Sequence, residues 1–136
     1  MLFARILRII LSIVGLVALL LGLAIWIMNI DLINIHMLFG LLVTLTLLVS
    51  SILALTTRAL RIWGIIGVIY AIIIPVFGLS QFNILTGDLH WLIQTAHMLV
   101  GIGAIVLAGV MITRYIALKR PATASSALAA RKEQLS

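Results

Sequence analysis

Only three histidines occur in the 136 residues, and two of them sit in the same frame. "HMLFG" begins at His36 and "HMLVG" begins at His97, so each histidine stands four positions before a glycine, Gly40 or Gly101. An imidazole in an apolar chain either ligates a metal or hydrogen-bonds a carbonyl or hydroxyl of a neighbouring helix. The shift that sets His36 on His97 also sets Arg58 on Lys119, so each histidine precedes a cation by the same interval. At about 1.5 Å per residue, that interval spans about 33 Å of helix, one bilayer core. The two histidines are therefore expected at one depth, near the helix ends remote from the cations.

Composition says what kind of chain holds them. Hydrophobic residues make up 65%, charged residues 9%, and mean hydropathy is +1.38. Soluble domains are nearer half apolar and a quarter charged. This is the composition of an integral membrane protein, with no room for a separate soluble domain. There is no cysteine, which excludes disulfides, thiolate metal sites, iron–sulfur clusters and covalent heme attachment through Cys-x-x-Cys-His. The net charge of +6 does not point to nucleic acid, because the basic residues cluster at helix ends, where they set membrane orientation. The three acidic residues are Asp31, Asp88 and Glu133. None lies inside an apolar segment, so paired-carboxylate catalysis is excluded and no hydrolytic site is expected. No phosphate-cradling glycine motif is present.

Four segments are long and apolar enough to cross a bilayer. They run from about Ile6 to Met28, Ile33 to Leu55, Ile62 to Phe82 and Leu89 to Leu118. The first is too long for a signal-peptide core and reads as a retained helix. The short connections force successive helices to be antiparallel. The expected fold is all-α: an integral membrane four-helix up-and-down bundle over residues 1–118, with a polar tail over 119–136. All nine basic residues fall on one side of this arrangement, while Asp31 and Asp88 fall on the other. Basic residues mark the cytoplasmic side, so both termini are expected there, in the inner (cell) membrane of a bacterium.

The odd-numbered segments also match each other: one shift places Arg5 on Arg61 and Gly22 on Gly78. Two parallel two-helix repeats would relate the halves by a pseudo-two-fold axis along the membrane normal.

That arrangement sets the second and fourth helices parallel, on a diagonal of about 11–14 Å. Two imidazoles reaching inward leave room for a metal between them, and the plane of an iron porphyrin fits the gap. Histidine is a usual axial ligand of heme iron. Gly40 and Gly101 lie one turn deeper on the histidine face, where a flat macrocycle requires a helix surface without a side chain. The competing account is close helix packing through small residues, and Gly101, Ala104 and Ala108 form such a stripe. A bare metal between His36 and His97 has too few ligands. His90, two turns before His97, is a candidate third ligand, a hydrogen-bond partner for a heme propionate, part of a quinone pocket, or an interfacial residue beside Trp91.

With "HMLFG" opening the second span and "AHMLVG" in the fourth, residues 1–120 resemble the small membrane-embedded b-type cytochromes. That resemblance implies one heme b with His36 and His97 as axial ligands, Gly40 and Gly101 facing the heme, and electron transfer linked to a quinone or a redox partner protein. Relatives with two hemes carry a second histidine pair, which this chain lacks. A single heme near one face does not carry electrons across the whole bilayer. Two further readings stay open: a non-enzymatic accessory subunit of a larger membrane complex, binding pigment or lipid, and a transporter subunit working as a homo-oligomer.

Overall fold

The computed structural model describes residues 2–119 and residue 131. Its elements are α1 (Leu2–Met28), α2 (Ile33–Leu55), α3 (Arg61–Ser80) and α4 (His90–Leu118). Short 3-10 turns at Arg58–Leu60 and Gln81–Asn83 flank α3. No strand occurs among the described residues. The expected tail over 119–136 lies outside the described residues apart from Lys119 and Arg131.

All four helices are long and apolar enough to cross a membrane, and the chain is an integral membrane protein. Inside a bilayer every backbone N–H and C=O must be satisfied within the protein, which makes unbroken helices the answer to these leucine- and isoleucine-rich runs. The observed bounds differ slightly from the hydropathy pattern. α1 starts at Leu2, so Arg5 and Arg8 are its first cations and not its flank; long cationic stems of this kind can extend from a first turn to a polar boundary. α3 ends at Ser80 and passes into a 3-10 turn. Pro75 lies within α3 without ending it. It removes one N–H, a loss that membrane helices tolerate where neighbours compensate. α1 ends where Asn29 takes φ 52°, a left-handed conformation open to asparagine.

The helices run up and down. Ile105 of α4 packs on Gly15, and Gly109 faces Leu11, so α1 and α4 are antiparallel. Each helix packs on its chain neighbours, and α4 closes on α1. The diagonal expected between α2 and α4 is not kept along its length, because the two helices also pack directly on each other. Small side chains allow this approach: Ser50 and Ala54 on α2, with Ala104 and Ala108 on α4, are all buried, while Ser51 packs on Gly67 of α3. Leu47, Met111 and Ile112 complete this contact. The core therefore sits in the half of the bundle nearer the basic residues.

The hydroxyls of α2 serve the backbone. Thr44 donates to the carbonyl of Gly40 at 3.0 Å, Thr46 to Leu42 at 2.7 Å, Ser50 to Thr46 at 2.6 Å and Ser51 to Leu47 at 2.7 Å. Each bond runs one turn back along the same helix, so these hydroxyl protons are satisfied locally, including that of Thr44, which borders a cavity. Ile9, Ile13, Leu16 and Leu20 of α1, like Ile62, Ile65, Ile69 and Ile72 of α3, are exposed and contact the lipid.

Candidate cofactor site

In the other half of the bundle the helices surround a cavity of about 400 Å³. All four contribute to its wall: Ala18 and Gly22 from α1, His36 and Gly40 from α2, Ile74 and Gly78 from α3, and His97 and Gly101 from α4. The volume lies in the range of small-molecule and cofactor sites, about 300–1,000 Å³. The wall is predominantly apolar, with a few convergent nitrogens.

The two frame histidines meet here. Their ring centroids are 6.0 Å apart and the ring planes make an angle of 66°. Two imidazoles on opposite sides of one metal, each with a metal–nitrogen bond of about 2 Å, have ring centroids about 6 Å apart. Nδ1 of His36 donates to the carbonyl of Ala18 at 3.1 Å. A carbonyl can only accept, so this bond fixes the proton on Nδ1 and leaves the lone pair on Nε2. Metal-ligating histidines are oriented by the same device, the second ring N–H bound to a carbonyl or carboxylate. Nδ1 of His97 is buried without a partner. Its ring stacks instead on Phe77, with centroids 6.0 Å apart and planes at 29°.

The glycines fall into two sets. A Cβ added at Gly40 or at Gly101 would meet nothing within 4 Å, and both residues line the cavity. Close helix packing therefore does not account for them. Ala104 and Ala108 of the same small-residue stripe do pack closely, with 0% exposure. The stripe thus changes role along α4, from open cavity wall at Gly101, through Ala104 at the cavity floor, to buried helix contact at Ala108.

Gly22 and Gly78 do the opposite. A Cβ at Gly22 would stand 3.0 Å from Cε1 of His36, and one at Gly78 would stand 3.3 Å from Cε1 of His97. Each histidine ring lies against a glycine of the preceding helix. The match of Gly22 with Gly78 between the odd-numbered segments signalled this pairing, but hydropathy offered no reason to place either glycine on an imidazole.

His90 opens α4 and lines the same cavity beside Gln94. Its Nδ1 is buried without a partner, so it belongs to the cavity wall as well as to the interface. It completes no metal cluster: among the described residues no three metal-ligating side chains of the His, Cys, Asp and Glu types converge. Thr95 turns back to the carbonyl of Trp91 at 2.8 Å. Among the cavity-lining residues, His36 and His97 are the pair that would hold a group needing two histidine ligands. In comparisons with protein-family models, curated proteins and solved structures, no match to this chain was found.

Proposed function

We propose that the chain is a membrane b-type cytochrome that holds one heme b between His36 and His97 and serves electron transfer. One observation carries the reading: two imidazoles 6.0 Å apart open on a cavity whose wall at Gly40 and Gly101 has no side chain and no neighbour. A bound heme would supply a one-electron iron couple, whose potential the two histidines and their surroundings would set.

The residues of the chain do the rest. His36 is held in the tautomer that presents Nε2 by its bond to Ala18. Gly22 and Gly78 let both rings seat against α1 and α3. Ile74, Ala104 and Ile105 give the cavity an apolar wall, which limits water and lowers the local dielectric around the iron. His90 and Gln94 line the end of the cavity where α4 begins and would offer polar groups to a heme's propionates.

The positive-inside rule places the basic end and both termini in the cytoplasm and the heme near the outer face of a bacterial inner membrane. One heme at that depth exchanges electrons along that face, with a quinone or a redox partner protein as donor or acceptor. The 6.0 Å separation of the rings also weighs against separate pigments on each histidine, since two macrocycles do not fit between rings so close.

The reduced-minus-oxidised absorption spectrum of the detergent-purified protein, paired with a pyridine hemochrome assay, tests this. About one heme per chain with the narrow reduced bands of low-spin heme b is the expected result. A colourless protein that also fails to take up added heme overturns the proposal and leaves the accessory-subunit reading in front.

A further inference from the structure

At the basic end of the bundle we propose a binding site for the headgroup of an anionic phospholipid, centred on Arg114. A second cavity, of about 260 Å³, lies between the turn Arg58–Leu60 and the last turns of α4. Ala59, Leu60, Ala117 and Leu118 give it an apolar wall, and Arg114 is the one charged residue lining it. Arg114 stands five positions before Lys119, about 7.5 Å along the helix. Arg114 thus lies inside Lys119 along α4, closer to the apolar body of the helix.

The guanidinium is held in place by an aromatic ring. It lies 5.2 Å from the centroid of Trp63 on α3, a cation–π contact that leaves its in-plane N–H donors free for an anion. Among the described residues no carboxylate balances it: Asp31 and Asp88 lie in the links at the opposite end. Arg58 and Arg61 bracket the turn that forms one wall, and Lys119 follows the other.

These features select the ligand. A planar guanidinium recognises a phosphodiester through paired N–H donors. An apolar wall beside it suits the glycerol and first methylenes of a lipid, and gives no hold on free phosphate. The surplus of positive charge among the described residues, with no described acid at this end to receive a choline or ammonium group, favours a net-negative headgroup. Basic pockets between membrane helices bind anionic lipids in this way. The site is remote from the histidines, and the proposal does not depend on the heme.

Native mass spectrometry of the detergent-purified full chain, titrated with phosphatidylglycerol or phosphatidylcholine, is the test. One phosphatidylglycerol is expected to be retained per chain in preference to phosphatidylcholine. Arg114→Gln is expected to weaken its retention about five-fold, the contribution of one cation near a membrane surface. Arg5→Gln removes a cation at the same end on α1 and is expected to leave retention unchanged. Ala59→Phe fills the cavity while keeping every charge, and is expected to displace the lipid. Equal weakening by Arg5→Gln and Arg114→Gln would mean diffuse surface charge and overturn the site. Equal retention of the two lipids overturns it too, and so does undiminished retention in Ala59→Phe. Circular dichroism of each variant separates lost binding from lost fold; should Arg114→Gln fail to fold, the Ala59→Phe result decides.

Discussion

The carbonyl of Ala18 accepts the Nδ1 proton of His36 at 3.1 Å, and His97 has no such partner for its own Nδ1. The two halves of the chain thus hold matched histidines by different means. The residue matching Ala18 in the second half is Ile74, yet His97 stacks on Phe77 instead. In heme-free protein labelled with nitrogen-15, His36 is expected to show a single tautomer protonated at Nδ1. His97 is expected to show averaged ring-nitrogen shifts, because nothing fixes its proton. Identical tautomer signatures for both rings would contradict this asymmetry.

Ligand substitutions follow from the shared cavity. His36→Ala and His97→Ala should each abolish the six-coordinate low-spin spectrum, since one iron would need both rings. Two independent sites would lose about half the signal each, and the losses would add. Wild-type spectra in both variants would remove the ligand assignment altogether.

Glycines that face the cavity and a glycine wedged between α2 and α3 should respond oppositely to a methyl group. Gly101→Ala and Gly40→Ala place a Cβ in open space, so they are expected to gain up to about 1 kcal/mol of helix propensity. Gly64→Ala places its Cβ 2.8 Å from the backbone nitrogen of Leu55 and 2.8 Å from the carbonyl oxygen of Ser51. Neither atom can move aside cheaply, and a cost of about 1–3 kcal/mol is expected from overpacking. Thermal melting in detergent reads both signs. Gly40→Leu and Gly101→Leu should go further: they keep the melt and lose the heme, because a larger side chain fills the cavity and not a helix contact.

The four spans, their alternating direction and the segregation of charge were legible in the sequence, because each depends on composition over a bilayer-spanning window of about 20 residues. The histidine frame was legible as a spacing, since a repeat of one helix pair returns each frame to the same end of the bundle. The partner of a given small residue was not legible. Gly101, Ala104 and Ala108 share one helical stripe, and periodicity fixes that face without saying which part of it meets α2 and which meets a cavity. The direct packing of α2 on α4 was hidden for the same reason: Ser50 reads as polar, and its small volume mattered more than its hydroxyl, which bonds to its own helix.

Tyr70 offers a test of how tightly α3 and α4 are matched. Its hydroxyl donates to the carbonyl of Val100 at 3.0 Å, and a Cβ at Gly103 would stand 2.6 Å from that hydroxyl oxygen. Gly103 is thus what admits the tyrosine to the α4 backbone. Tyr70→Phe alone should cost little, about 0.6 kcal/mol, as interhelical hydrogen bonds in membranes generally do. Gly103→Ala alone should cost more, because it pushes the ring off α4 and leaves the hydroxyl without its acceptor. In the Tyr70→Phe background the same alanine meets only ring carbon at 3.4 Å or beyond, an ordinary contact. The double variant should therefore be more stable than the sum of the singles by about 0.5–3 kcal/mol. Additive melting shifts would mean that Tyr70 and Gly103 are not in contact in the membrane.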